Sequence, residues 1–160
     1  MSSNPASTFN RNTNFVPKEG DWSFQQIRIK ASTAIEMGTA IGIEISSNTT
    51  TGDKTKMGVE NAAGADLVGI LMEEVATTDA DYATSGKLKI VAIPTTAACI
   101  AEFTVGAGTF TVVDEGKTVE FHSDSKSLAV DTAGKGARIT KYLSATRGLC
   151  QFTLPTTETA

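Results

Sequence analysis

His122 is the only imidazole in the chain, and it sits in "TVEFHSDS", where alternation puts Val119 and Phe121 on one face and Thr118, Glu120 and His122 on the other. Triad-type catalysis needs a base held against a serine or cysteine. A histidine on the polar face of a strand, with no G-x-S-x-G stretch around any serine, reads as a solvated surface residue. Carboxylates gather in "MEEVATTDADYATSG", which carries Glu73, Glu74, Asp79 and Asp81. Hard oxygen donors so close together would suit Ca²⁺, but the stretch lacks the glycine and glutamate positions of an EF-hand and reads as a solvated acidic loop. A carboxylate pair for glycoside cleavage is a spatial feature, and nothing in the sequence singles one out. "DEGKT" ends in Gly116-Lys117-Thr118 like the tail of a phosphate-binding loop. Thr111 stands where that motif requires glycine, however, and strand-prone sequence follows where a helix must point its N–H groups at the phosphates. It reads as a hairpin turn. Cys99 and Cys150 lie in apolar runs and read as buried thiols, not as a disulfide framework or, beside one histidine, a zinc site. The expectation is a protein without catalytic, cofactor-binding or metal-ligating residues.

A different capability lies at the N-terminus. Residues 4 to 24, "NPASTFNRNTNFVPKEGDWSF", contain no Leu or Ile and no helical or strand period, yet Phe9, Phe15, Val16, Trp22 and Phe24 punctuate the polar background. Such a segment buries too little to fold alone but is suited to ordering on a partner, with its backbone extending a sheet edge and its aromatics filling pockets. These five residues are therefore the candidate partner contacts. The competing expectation is that Trp22 and Phe24 simply fold back onto the body.

The elements behind these residues are strands. Ile27 and Ile29 face one way and Arg28 and Lys30 the other; Ile41, Ile43 and Ile45 alternate with Gly42 and Glu44. The same period predicts Leu88, Ile90 and Ala92 inward against Lys87 and Lys89, and Cys150, Phe152 and Leu154 inward near the end. Short β-prone runs such as "DLVGILM", "AACIAEFTV", "SLAV" and "ARITKYL" are separated by turn sequences such as "VGAG", "SDSK" and "TAGKG". About ten closely spaced strands imply an all-β sandwich or barrel. Residues 46–65 read as one long loop. The predicted organisation is an extended N-terminal arm over 1–25, an all-β body over 26–155 and a short C-terminal tail over 156–160.

The 160 residues carry 14 Lys and Arg against 18 Asp and Glu, a formal charge of −4, with no basic cluster of the kind that releases counterions from a phosphate backbone. Nucleic acid is not an expected partner. The longest apolar runs, such as "IVAI" at 90–93, fall far short of the ~20 residues of a spanning helix, and the N-terminus lacks a signal pattern. A soluble protein with no membrane partner is expected.

Two stretches, "ADLVGILMEEVATTDADYATSGKLKIVAIP" (65–94) and "GTFTVVDEGKTVEFHSDSKSLAVDTAGKGARITKYLSATRGLCQFTL" (108–154), resemble head decoration proteins of tailed bacteriophages, also called capsid cement or stabilisation proteins. The shared features are a "VGIL" strand, an acidic excursion ending at Gly86, a basic alternating strand, a series of glycine-turned hairpins and a closing apolar strand, within residues 39 to 154. The resemblance implies a small β-sandwich or β-barrel (β-tulip-like) body on the outer surface of an icosahedral virion, assembled in the host cytoplasm. It implies a homotrimer that clamps major capsid protein subunits without enzymatic activity or cofactor, often through an N-terminal arm. The alternatives are another virion β protein, such as a head fibre or tail-tube component, and a glycan-binding module or small carboxylate hydrolase.

Overall fold

The computed structural model describes residues 14–47, 54–60, 67–84 and 86–152, and these are all-β, in two sheets. Eleven strands follow in order: β1 Val16–Glu19, β2 Trp22–Ile29, β3 Ala40–Ser47, β4 Lys54–Glu60, β5 Leu67–Leu71, β6 Lys87–Pro94, β7 Ile100–Ala107, β8 Thr118–Phe121, β9 Leu128–Ala133, β10 Ala137–Ser144 and β11 Arg147–Phe152. Among the described residues a 3-10 turn, Val112–Asp114, precedes β8.

Strands β2, β4, β3, β5 and β6 close into a small barrel, in that order. Its interior is apolar because Ile29, Ile35, Ile41, Leu71, Val75 and Val91 converge there, each no more than 1% exposed. The other sheet runs β1-β7-β11-β10-β8-β9. Its last strand returns to pair in parallel with the second half of β7, Val105 with Leu128 and Ala107 with Ala129, while β1 pairs antiparallel with the first half, Val16 with Glu102. β1 and β9 thus share one edge of β7.

A larger core joins this sheet to the barrel. It takes Phe103, Val119, Phe121, Leu128, Ile139, Cys150 and Phe152 from the sheet and Ala40, Ile70 and Ala92 from barrel strands. Backbone hydrogen bonds knit the junction, with Ala40 N donating to Ser125 O at 2.8 Å and Phe15 N, just before β1, to Gly38 O at 3.1 Å. Deep in the sheet, Gly148 pairs with Phe103, and a Cβ on Gly148 would meet that ring at 2.8 Å. The bare backbone of β11 at Gly148 is what lets the ring approach it this closely.

Three expectations change. The arm expected over 1–25 belongs to the body from Asn14 onward, since β1 joins one sheet and every residue of β2 pairs with β6. The loop expected over 46–65 contains β4, which forms a hairpin with β3 from Ile41 opposite Glu60 to Ser47 opposite Lys54. Finally, the phase of β6 is reversed in its first half: Lys87 is 5% exposed and Leu88 is 50% exposed. Lys87 turns toward the barrel because its amine finds two carbonyl acceptors there, Lys30 O at 3.0 Å and Tyr82 O at 2.9 Å. Lys89 faces the same way and meets Asp81 at 3.7 Å. Aliphatic stems line the wall while the charged ends reach polar partners at the rim. The alternation expected for β8 and for Cys150 and Phe152 holds, whereas Ile43, Ile45 and Leu154 have side chains outside the described residues, as do residues 1–13 and the tail.

Candidate interaction surface

Of the five candidate contacts, the structure sends two in opposite directions. Phe15 is buried at 2% exposure, at the centre of an aromatic cluster, with Phe121 at 5.5 Å and Phe152 at 5.2 Å in edge-to-face geometry. Its backbone N–H donates to Gly38 O at 3.1 Å, and the preceding Asn14 donates through Nδ2 to Met37 O at 2.6 Å. Phe15 is core, and its assignment as a partner contact is corrected. Trp22 is half-buried, packed edge to face on Phe152 at 6.1 Å, with its indole N–H donating to Glu19 O at 2.9 Å. The competing expectation therefore describes Trp22 correctly. Val16 is half-buried in β1. Phe9 lies outside the described residues.

Phe24 remains in water, 61% exposed. The chain delivers it there in two steps. Gly20, at φ +91°, turns the backbone sharply from β1 to β2 against Ala98 and Cys99, a conformation that favours glycine. β2 then crosses from beneath the sheet, where Trp22 and its partner Pro94 are covered, out to a part of the barrel wall that nothing described covers. Phe24 stands at that boundary, on a strand paired along its whole length.

The residues with other chemical potential are engaged structurally. Asp79 accepts from Ala76 N at 2.8 Å and so closes its own turn, while Asp81 faces Lys89. Among the described residues no three His, Cys, Asp or Glu side chains gather as metal ligands would. Cys99 and Cys150 are buried free thiols. Cys99 Sγ donates to Asp21 O at 3.4 Å, and burial pushes the Cys150 thiol well above its ordinary range. Gly116-Lys117-Thr118 leads from the 3-10 turn into β8 and is not the expected hairpin turn, because β8 pairs with β9 and β10 and not with the preceding strand β7.

That turn belongs to a second exposed feature that sequence reasoning missed. Val112 and Val113 are 58% and 73% exposed, with Leu143 at 45% on β10. The valines are held out by a buried carboxylate: Asp114 accepts from Thr111 N at 2.8 Å and from Lys117 Nζ at 2.7 Å. Lys117 beside it, with the Thr111 N–H, holds the Asp114 carboxyl below the usual carboxylate range. Next to this knob lies an open groove of about 780 Å³ lined by Gly108, Thr109, Thr118, Val130 and Asp131. It opens where β9 bulges from β8, Val119 pairing with Ala133 but Glu120 already with Ala129. The signal for the knob was present in "TFTVVDEG", but two valines in a β-prone run point to a strand, not to a capped turn.

Comparison of the chain with protein-family models, with curated proteins and with solved structures finds no match.

Proposed function

We propose that this chain is a structural virion protein, a head decoration protein of a tailed bacteriophage that binds the outside of the icosahedral capsid and cements contacts between major capsid protein subunits. It does so without catalysis or cofactor and as a homotrimer. The sequence pattern of residues 65–94 and 108–154 supports the reading, together with an all-β fold of the kind that pattern implies. One structural observation carries it: Phe24 presents a solvent-exposed ring on a strand that pairs with β6 along its whole length. A large aromatic held rigidly in water costs little further conformational entropy when it binds, which is how an anchor residue differs from a surface residue on a loop. Three copies gripping neighbouring subunits would add avidity, so each contact can be individually weak.

Co-sedimentation with expanded empty capsids tests the reading. The purified protein is expected to pellet with expanded shells and to raise the temperature at which they rupture, and sedimentation equilibrium is expected to give three copies. A protein that stays in the supernatant at saturating shell concentration is not cement.

A further inference from the structure

The face that carries Phe24 is larger than one ring. In the β2–β6 pairing Phe24 lies opposite Ala92, Gln26 opposite Ile90 and Arg28 opposite Leu88, so these six side chains share one face of the ribbon. The barrel core takes the other face, through Ile27, Ile29 and Val91. At the Ala92 end the shared face is covered by the sheet; beyond Phe24 it is open. Across the open part runs a diagonal apolar line from Phe24, 61% exposed, through half-buried Ile90 to Leu88, 50% exposed. Diagonal and same-strand neighbours on a sheet face lie about 7 Å apart, close enough for these three to act as one strip.

The charge on this face is opposite to that of the whole molecule. None of the six residues is acidic, Arg28 is exposed beside Leu88, and Lys30, the next residue of the same parity along the chain, is exposed as well. The chain as a whole carries a formal charge of −4. An apolar strip bordered by cations on an acidic protein is complementary to a surface with apolar recesses and carboxylates.

We infer that the open face of β2 and β6 docks an acidic protein surface, with Phe24 and Leu88 filling apolar recesses and Arg28 meeting a carboxylate. Resting on the decoration reading above, this assigns the acidic surface to the capsid shell. Pairing of this face with the same face of a second copy fits less well, because it would set like charges against each other. An anionic bilayer also fits less well, since stable membrane attachment takes a larger apolar face or a polybasic cluster and the net charge opposes approach.

The test measures pelleting with expanded empty shells at low and high salt for the wild type, Phe24→Ala, Leu88→Ser, Arg28→Glu, Arg28→Lys and, at the other exposed apolar site, Val113→Ser. Phosphatidylserine vesicles replace the shells in a parallel series, and thermal melting of each variant checks folding. Wild type is expected to bind shells more weakly as salt rises. Phe24→Ala and Arg28→Glu should each lower affinity about tenfold or more, Leu88→Ser should lower it in the same direction, and Arg28→Lys and Val113→Ser should bind nearly as wild type. If wild type pellets but Phe24→Ala and Arg28→Glu pellet equally well, the decoration reading stands and this face is not the grip. Vesicle binding that depends on Phe24 would replace the protein partner by a membrane. A wild type that binds no shells removes the decoration reading, and this inference falls with it.

Discussion

Phe15 and Phe152 meet edge to face, ring centroids 5.2 Å apart with an interplanar angle of 83°, although one precedes the first described strand and the other closes the last. Phe121 completes the cluster, 5.5 Å from each of them. The contact joins the beginning of the described chain to its end, so the N-terminal segment from Asn14 is part of what stabilises the body.

Phe15→Ala removes the middle of this cluster and leaves a cavity, and is expected to lower the free energy of unfolding by about 3–5 kcal/mol. Phe24→Ala, only a few residues further on, removes a ring from water and is expected to shift it by no more than about 0.5 kcal/mol. Urea denaturation of the two variants side by side checks this. Equal losses would contradict the placement of the two rings.

Asp114 gives a pH dependence of definite sign. Its carboxyl pKa is lowered in the folded protein by Lys117 and the Thr111 N–H. A depressed folded-state pKa stabilises above the unfolded value, about 3.9, and that stabilisation is lost as pH falls through the folded value. Asp114→Asn is expected to cost about 1–2 kcal/mol at neutral pH, in the range of a lost capping side chain. The difference from wild type should shrink below about pH 4, as followed by unfolding free energy against pH. A difference that stays constant to low pH would separate Asp114 from the titration.

Lys87 is buried with its amine on two carbonyls, Lys30 O and Tyr82 O. Lys87→Met keeps most of the stem and deletes the donor, so Lys30 O and Tyr82 O each lose one hydrogen bond from a charged amine. The expected cost is about 1–3 kcal/mol, measured by thermal unfolding. No loss would mean that the amine contributes nothing beyond what its stem packs against.

Both thiols should be silent in the native state. Cys99 is 1% exposed and Cys150 fully buried, and burial raises the Cys150 pKa, which keeps its sulfur protonated as the pH climbs. A thiol reagent is expected to label Cys150 only at the rate at which the protein opens, and mild alkalinity should not accelerate that labelling through ionisation in the native state. Fast labelling of folded protein would show that the β10–β11 hairpin frays.

Much of the architecture was legible in the sequence because alternating strands and turn-forming gaps announce themselves. The phase of β8, with Val119 and Phe121 inward, follows directly from its pattern. What was hidden was hidden for physical reasons. β1 is only Val-Pro-Lys-Glu, and in β2 the alternation of Trp22 and Phe24 changes phase at Ile27, so no sustained period betrays the segment that Phe15 and Trp22 attach. β4 alternates weakly across Met57 and Val59 in a run otherwise of Lys, Thr, Gly and Glu. Lys87 breaks the inside-outside rule because a long stem can line an apolar wall and still deliver its charge to backbone carbonyls. Phe24 was recognisable as an aromatic in the right segment, but its exposure, and the burial of Phe15 nine positions earlier, depend on which sheet covers which end of β2. That is a property of tertiary packing, not of spacing.

The barrel strands β2 to β6 are contiguous in the chain, whereas the other sheet is assembled from β1 and then β7 to β11. On a ribosome, which releases the chain from its N-terminus at about 5–20 residues per second, the barrel strands are all available once Pro94 has emerged. β1 has by then been waiting for β7, and Phe15 for Phe152. The first of the described strands is therefore among the last to find its partners. Its sequence suits that interval: Pro17 has no N–H to offer a stray strand, and Lys18 and Glu19 keep it charged. A nascent chain can thus carry β1 without giving other growing chains an edge to pair with.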